Sequence, residues 1–407
     1  MKFSKYNIVV PYKDNTCIVF NTLNGALVRM DSQDYNLQNL GQKNYGILVD
    51  DDCNEYLLYK YRYLSAIFNC RSIHLTIATT MSCNFNCPYC FEEGHKRDGF
   101  LDKDAIRGIQ SFLKSKKTKP ISITWFGGEP FLNWNAIQMI SNYLIDNQID
   151  FSANAITNGS IFSPSIINKI DEYHIKNLQI TLDGLKDTHD IKRQFRTGGG
   201  SFEIILKNIK HILEHSQAFV SIRVNLDRNN IHEFKPLKDE VLSMFSLYIK
   251  NKRLAITPNY IRDRTSFDGC TNCLSPVEFY TFESSINQIR SLPLFKGPCP
   301  LRSMSDICIA PDGEIYKCLE HIGDKIHSIG NIKEGSINLY RQADLALTAL
   351  PFENEECRNC EILPICGGGC SAEARKKVLE NKKINLCPAE REVIKDLIVK
   401  VYENNYI

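Results

Sequence analysis

The sequence predicts an α/β protein organised around a mostly parallel sheet, either doubly wound or closed into a barrel. Three observations carry this. Six apolar, strand-like segments recur at 73–80, 121–126, 151–157, 178–182, 220–226 and 254–260. Amphipathic stretches with helical spacing lie between them. Polar, glycine-rich or cysteine-bearing turns follow one strand after another. Alternating strands and helices favour parallel pairing with right-handed crossovers, because a strand returning in the same direction needs a covering helix in between.

The elements can be justified in chain order. Residues 6–11, 17–20 and 26–30 are short runs rich in Ile, Val and Phe, the last preceded by Asn24-Gly25, and are expected as strands. The stretch 54–68 places Tyr56, Tyr59, Tyr63 and Ile67 on one helical face. A piece of about 70 residues folds alone only marginally, so 1–72 is expected as a small α+β domain that docks on the remainder of the chain. In the middle region, 73–296, one helix presents Ile106, Ile109 and Leu113, and another presents Ile205, Ile209 and Leu213. Cys83, Cys87 and Cys90 follow the first strand, Gly127-Gly128-Glu129-Pro130 the second, Asn158-Gly159 the third, Asp183-Gly184 the fourth and Asp227 the fifth. Parallel α/β folds place active sites at the carboxyl ends of their strands, so one site built from these loops is expected. The last region, 297–407, is set apart by its cysteines.

Composition excludes several classes. The chain has 407 residues, 43% of them hydrophobic, enough to fill two or three folded units. Lys+Arg 49 against Asp+Glu 47 leaves a formal charge of +2, and no basic run is interleaved with aromatics, so nucleic acid is not the expected partner. No segment approaches the roughly 18 to 20 apolar residues of a membrane helix, and residues 1–11 lack a signal-peptide core. A cytoplasmic location is expected. Sixteen cysteines there point to soft metal ligation in place of disulfides, because the cytosol keeps thiols reduced.

Cys83, Cys87 and Cys90 put three thiolates within eight residues, a reach suited to three corners of one 4Fe-4S cube whose fourth iron stays open to a small molecule. The competing reading is a zinc knuckle, with His95 as the only nearby fourth ligand. The trio, with Tyr89 just before its last cysteine, resembles the signature of the radical S-adenosylmethionine (SAM) superfamily. That resemblance implies a partial (β/α)6 barrel. It also implies a cofactor that chelates the open iron and is cleaved by one electron to a 5'-deoxyadenosyl radical, which takes hydrogen from an unactivated carbon. Gly127, Gly128, Glu129 and Pro130 match the family's GGEP loop, whose backbone and glutamate hold the cofactor's ammonium group. Thr157 and Asn158, with Thr181 and Asp183, resemble the loops that contact ribose, carboxylate and adenine. His189-Asp190, Arg193 and Gly198-Gly199-Gly200-Ser201-Phe202 also sit as in relatives, which makes Arg193 a candidate partner of the cofactor carboxylate, the alternative being a surface salt bridge. Arg223 is functional if its strand turns it inward.

The second cysteine set is spaced as Cys299, thirteen residues, Gly313, four residues, Cys318; then Cys357, two, Cys360, five, Cys366, three, Cys370; and finally Cys387. This resembles the seven-cysteine SPASM pattern and implies two auxiliary 4Fe-4S clusters. Cys357, Cys360, Cys366 and Cys387 would hold the outer one, and Cys299, Cys318 and Cys370 the inner. Cys308, Cys270 and Cys273 compete for the inner cluster's fourth position; Cys308 is alternatively a core thiol, and Cys270 and Cys273 a redox pair. Alone, 357–370 would also read as a zinc ribbon. Cys17, Cys53 and Cys70 have no partners in sequence and are expected to be structural.

The resemblance further implies a two-electron oxidation of a precursor peptide, giving a thioether or carbon-carbon crosslink, with a flavodoxin or ferredoxin as reductant. The amino-terminal elements resemble a peptide-recognition domain that adds a leader segment as an extra strand. Conversion of a protein Cys or Ser to formylglycine by an anaerobic sulfatase-maturating enzyme is the alternative. Such enzymes usually carry Asp after the cysteine matching Cys318; here Leu319 stands there and Glu320 comes next, a candidate base. A non-catalytic iron-sulfur carrier would need no GGEP loop, and an RNA-modifying radical enzyme would be expected to show a basic surface.

Overall fold

The apolar runs near the start of the chain become strands whose alternate side chains separate: Ile8, Val10, Ile18 and Phe20 enter one core, and Cys17 and Val19 another. The computed structural model describes residues 1–36, 46–90, 92, 99–261, 272–286, 291–387 and 390–406. Strands β1 (Lys2–Phe3) and β5 (Leu48–Val49) pair antiparallel, and β2 (Asn7–Pro11), β3 (Thr16–Asn21) and β4 (Leu27–Asp31) form a separate antiparallel sheet in that order. The helix Glu55–Ile67 starts where the Asn54 side chain accepts the Leu57 amide, satisfying one of the donors that a first turn leaves open. Its Tyr59, Tyr63 and Ile67 are buried with Tyr6, Ile8 and Phe20 and with Phe352, Leu363, Ile398 and Val401. The Phe352 ring is met by Tyr59 and Tyr63 at 5.6 and 5.3 Å. Met1–Asn69 therefore shares one core with Ser275–Met304 and Asp344–Ile407, and these three stretches form one compact unit.

Cys70–Leu274 and Ser305–Ala343 form the second unit. Its strands β6 (Ile73–Thr80), β7 (Ile121–Gly127), β8 (Phe151–Thr157), β9 (Ile175–Leu182), β10 (Phe219–Leu226) and β11 (Leu254–Tyr260) pair in parallel, each with its neighbour in sequence. A doubly wound sheet reverses its strand order at a switch point. Here the order runs one way, which is the winding of a partial barrel and settles the choice left open by periodicity. The sheet then continues beyond β6: β12 (Asp306–Ile309) joins it in parallel, and β13 (Glu314–Tyr316), β14 (Gly330–Asn331) and β15 (Ser336–Ile337) are added antiparallel.

The two faces of this sheet differ sharply. Ile77, Ile123, Trp125, Ile180 and Ile222 are fully enclosed, as are Ile109 and Leu113 of helix Lys103–Ser115. Register places Thr76, Thr124 and Asn154 side by side on the opposite face, with Thr181, Arg223 and Thr257 aligned in the same way farther on. Arg223 therefore shares the polar face. Among the described residues, no helix is long and apolar enough to cross a membrane.

Candidate cofactor site

The loop after β6 is held in place by its neighbours' main chains. Gly128 N and Glu129 N donate to Thr80 O and Ser82 O, both at 3.0 Å, so the glycine loop lies directly on the segment that leads into Cys83. A Cβ on Gly127, whose φ is +121°, would stand 2.0 Å from Thr80 O, and one on Gly128 would stand 2.4 Å from Ser82 O. Only glycine permits this approach. On its other side the cysteine loop pairs with 194–196: Asn86 N donates to Gln194 O, Arg196 N to Asn84 O and Arg196 Nε to Cys83 O, and Phe85 and Phe195 meet edge to face at 4.9 Å. Asn158 Nδ2 donates to Asn84 Oδ1 at 2.8 Å and lies 3.8 Å from Cys83 Sγ. Sequence reasoning named Asn158 and missed Asn84, Phe195 and Arg196. The only signal for Asn84 was its place inside the trio.

Glu129 is fully enclosed. Its carboxylate accepts the Asn158 amide at 2.7 Å, the Phe131 amide at 3.1 Å and the Thr157 hydroxyl at 2.8 and 2.9 Å, pinning the loops after β7 and β8 together. Burial pushes its carboxyl up to about 7 against the pull of these donors. The folded chain thus binds this proton more tightly than the unfolded chain. This group's contribution to stability is therefore expected to fall as pH rises from the ordinary carboxylate range through about 7. Comparing urea midpoints of the metal-free chain and Glu129→Gln from about pH 5 to about pH 8 checks this: the wild type should lose ground to the variant as pH rises.

Asp183 and Arg193 form the charged centre. Arg193 Nη1 lies 3.5 Å from Asp183 Oδ2 and donates at 2.7 Å to the Tyr89 hydroxyl, which itself donates to Asp183. The guanidinium covers the Phe85 ring with Cζ 5.6 Å from its centroid. Burial opposes its charge, yet Asp183, Cys87 and Cys83 hold it above its ordinary value. Burial raises the Asp183 carboxyl, with Arg193 and the Asn225 amide pulling it back.

Behind Arg193 lies a relay of fixed polarity. Asp183 N donates to His189 Nδ1, so the other ring nitrogen carries the proton and donates to Ser201 Oγ, which donates to Arg193 O, at 3.2, 3.0 and 2.6 Å. Burial, with the Arg193 charge adding, drives His189 down to about 3 and keeps the ring neutral. Asp190 Oδ1 accepts the Ser201 and Phe202 amides where the helix Phe202–His215 begins. These motif residues thus orient Arg193. Asn230, not foreseen, donates to Asp183 O and Asn225 O.

Cys83, Cys87 and Cys90 carry free thiols. The residues present fit an anionic cluster bearing a small zwitterion: three thiols on one clamped loop, a glycine cradle, and a buried Arg193 whose Nε has no hydrogen-bond partner among the described residues. Among the described residues, no three Cys, His, Asp or Glu side chains converge on one point as a single metal ion requires. His95 and Cys270 lie outside the described residues, and Cys273 is disulfide-bonded.

The remaining cysteines divide between the two units. In the first, Cys357, Cys360, Cys366 and Cys387 are electrostatic neighbours: Cys360 and Cys387 add to burial in raising the Cys357 thiol, and Cys360 and Cys357 help push Cys366 to about 11. Gly368 N donates to Cys366 Sγ at 3.2 Å and Arg391 to Cys387 Sγ at 3.3 Å. Cys299 and Cys370 belong to the same unit. In the second unit, Cys308 is buried beside Tyr316, Ala78 and Phe126, and burial pushes its thiol to about 12, with Cys318 adding. Glu320 is exposed on the turn Leu319–His321 after Cys318.

Residues 77–241 match the family model of the Radical SAM superfamily. The radical SAM cyclopropyl synthase TigE of Paramaledivibacter caminithermalis is 21% identical, over 92% of this chain and 90% of that protein. The fold is similar to that of native anSMEcpe with bound AdoMet and Kp18Cys peptide, with TM-score 0.62 and 16% identity over 83% of this chain and 100% of that one. It is similar also to Streptococcus suis SuiB bound to precursor peptide SuiA, with TM-score 0.55 and 14% identity over 91% and 95%.

Proposed function

We propose that this chain, whose residues 77–241 match the Radical SAM superfamily, is a radical SAM enzyme that oxidises a ribosomally made precursor peptide, forming a thioether or carbon-carbon crosslink. The observation that carries the reading is the shared neighbourhood of Cys357, Cys360, Cys366 and Cys387, built in a unit separate from the trio. These four thiols would hold a second iron-sulfur centre, which would supply a way out for the substrate's second electron that a simple hydrogen abstraction does not need. Cys299 and Cys370, which belong to that same unit, would serve an inner auxiliary cluster. The precursor peptide in the SuiB structure favours a peptide over a small metabolite. β4 is an edge strand among the described residues, a suitable rail for a leader segment.

Cys83, Cys87 and Cys90 would hold the 4Fe-4S cluster, and the main chain of 127–129, Asn158, Thr181, Asp183 and Arg193 the cofactor. Bound there, the pair supplies hydrogen-atom abstraction from an unactivated carbon. The chain's own work is placement: Arg193, oriented through Ser201 and His189, offers its spare Nε–H to a carboxylate. Tyr89 ties the end of the cysteine loop to Asp183, and Glu129 locks two neighbouring loops so that the cradle keeps its shape.

Coexpression with any short peptide found to be encoded beside this gene, followed by mass spectrometry, tests the reading. The expected product has lost two hydrogens, and the loss disappears when Cys83 is replaced. A peptide left unmodified while SAM is cleaved would overturn it, and an aldehyde on a Cys or Ser of a neighbouring sulfatase would reassign the enzyme to sulfatase maturation.

A further inference from the structure

Arg302 is a fully buried cation whose nearest partners carry no formal negative charge. Nη1 donates to the carbonyls of Ala346 and Thr348 at 3.1 and 2.9 Å, Nη2 to that of Ala349 at 2.6 Å, and Nε to Ser371 Oγ at 2.8 Å. Among the described residues, no carboxylate pairs with it. Burial pulls its charge down; Tyr63, then Cys299, and more weakly the Glu353 carboxylate, which lies beyond ion-pair distance, act to hold it up. A buried guanidinium left without an anion is strongly disfavoured. Its side chain is nonetheless anchored on all three nitrogens, so the fold fixes it in place for something anionic.

Ser371 shows where that anion sits. Its Oγ accepts the Arg302 Nε–H and, while Cys299 is a free thiol, the Cys299 S–H at 3.1 Å. Once Cys299 is a thiolate, the hydroxyl proton turns to sulfur and the direction is fixed: Arg302 donates to Ser371, and Ser371 donates to Cys299. Ser371 is itself 4% exposed and comes directly after Cys370, the residue that caps helix Ser371–Leu379. One buried hydroxyl thus joins a buried cation to the cysteine ligand Cys299, immediately beside Cys370.

We propose that Arg302, acting through the Ser371 hydroxyl on Cys299 Sγ, is a positioning pair that raises the reduction potential of the auxiliary cluster served by Cys299 and Cys370. This rests on the reading of Cys299 as a cluster ligand. Adding an electron makes a thiolate-bound cluster more negative, so a hydrogen bond to its sulfur and a cation behind that bond both favour the reduced state. The pair would make this cluster the easier acceptor for an electron leaving the substrate.

The test is a redox titration, followed by electron paramagnetic resonance, of the anaerobically reconstituted full-length chain. Cys299→Ser comes first: loss of iron supports the ligand reading, and unchanged iron with unchanged spectra defeats that reading by itself. Ser371→Ala with full iron is expected to shift one auxiliary signal to lower potential, by about tenfold in the reduction equilibrium or ~59 mV for one electron. Ser371→Thr, which keeps the hydroxyl, should restore it. An exchangeable-deuteron coupling to the reduced cluster, present in the wild type and in Ser371→Thr, should vanish in Ser371→Ala. If Ser371→Ala loses the cluster while Ser371→Thr keeps both iron and potential, the hydroxyl is still the agent. Full iron with unchanged potential in Ser371→Ala, or loss of iron in both variants, overturns the proposal.

Discussion

Replacing Cys83, Cys87 and Cys90 together by alanine is expected to remove about four irons per chain and all cleavage of SAM, while the iron held by the carboxy-terminal cysteines remains. The separation comes from the architecture. The trio lies on a loop of the Cys70–Leu274 unit, clamped by the amides of Gly128 and Glu129, by Asn158 and by Arg196 through contacts that do not depend on the thiols. The loop should therefore keep its shape without them. Cys357, Cys360, Cys366 and Cys387 belong to a unit with its own core. Iron analysis with iron-sulfur absorption, set beside an assay for 5'-deoxyadenosine, reads both halves. Loss of all iron in this variant would mean that the centres assemble as one.

Arg193→Met should have the second-largest effect, on stability and on cofactor binding together. The guanidinium is the cation beside the fully buried Asp183 carboxylate and the donor to Tyr89. Removing it leaves that carboxylate uncompensated, which destabilises by about 3–5 kcal/mol in comparable buried pairs. Losing a charge-assisted hydrogen bond to a cofactor carboxylate should weaken SAM binding by about 10- to 100-fold. Arg193→Lys keeps the charge without the planar fork, so it should recover more stability than affinity. Denaturant midpoints and equilibrium dialysis with SAM separate the two. Undiminished affinity in both variants would remove Arg193 from the cofactor site.

What was legible in the sequence was whatever short spacing encodes. The six parallel strands stand within a few residues of their expected bounds, and 73–80, 151–157 and 254–260 match them. Periodicity reports which side chains share a face of one element. It is silent on which distant faces meet. The three consecutive segments drawn from cysteine density gave no hint that Met1–Asn69 would share a core with Asp344–Ile407. Nor did the four residues of β12, more than two hundred positions after β6, announce that they would extend the same sheet.

The site divides in the same way. The GGEP loop and the trio could be named from their letters, but the reason for Gly128 is a carbonyl on another loop. Glu129 reads as a cofactor ligand in the motif; in the structure its carboxylate also accepts from three donors of the protein, a packing role the letters do not show. Arg302 looks like any solvated arginine, because a sequence cannot show that a cation is buried.

The most direct measurement is the release of 5'-deoxyadenosine by the anaerobically reconstituted chain given SAM and dithionite. Expected is product that depends on the protein and on Cys83, Cys87 and Cys90, from a preparation containing iron. Zinc in place of iron, or no 5'-deoxyadenosine above the protein-free control, would contradict the assignment of this loop as the cluster and cofactor site.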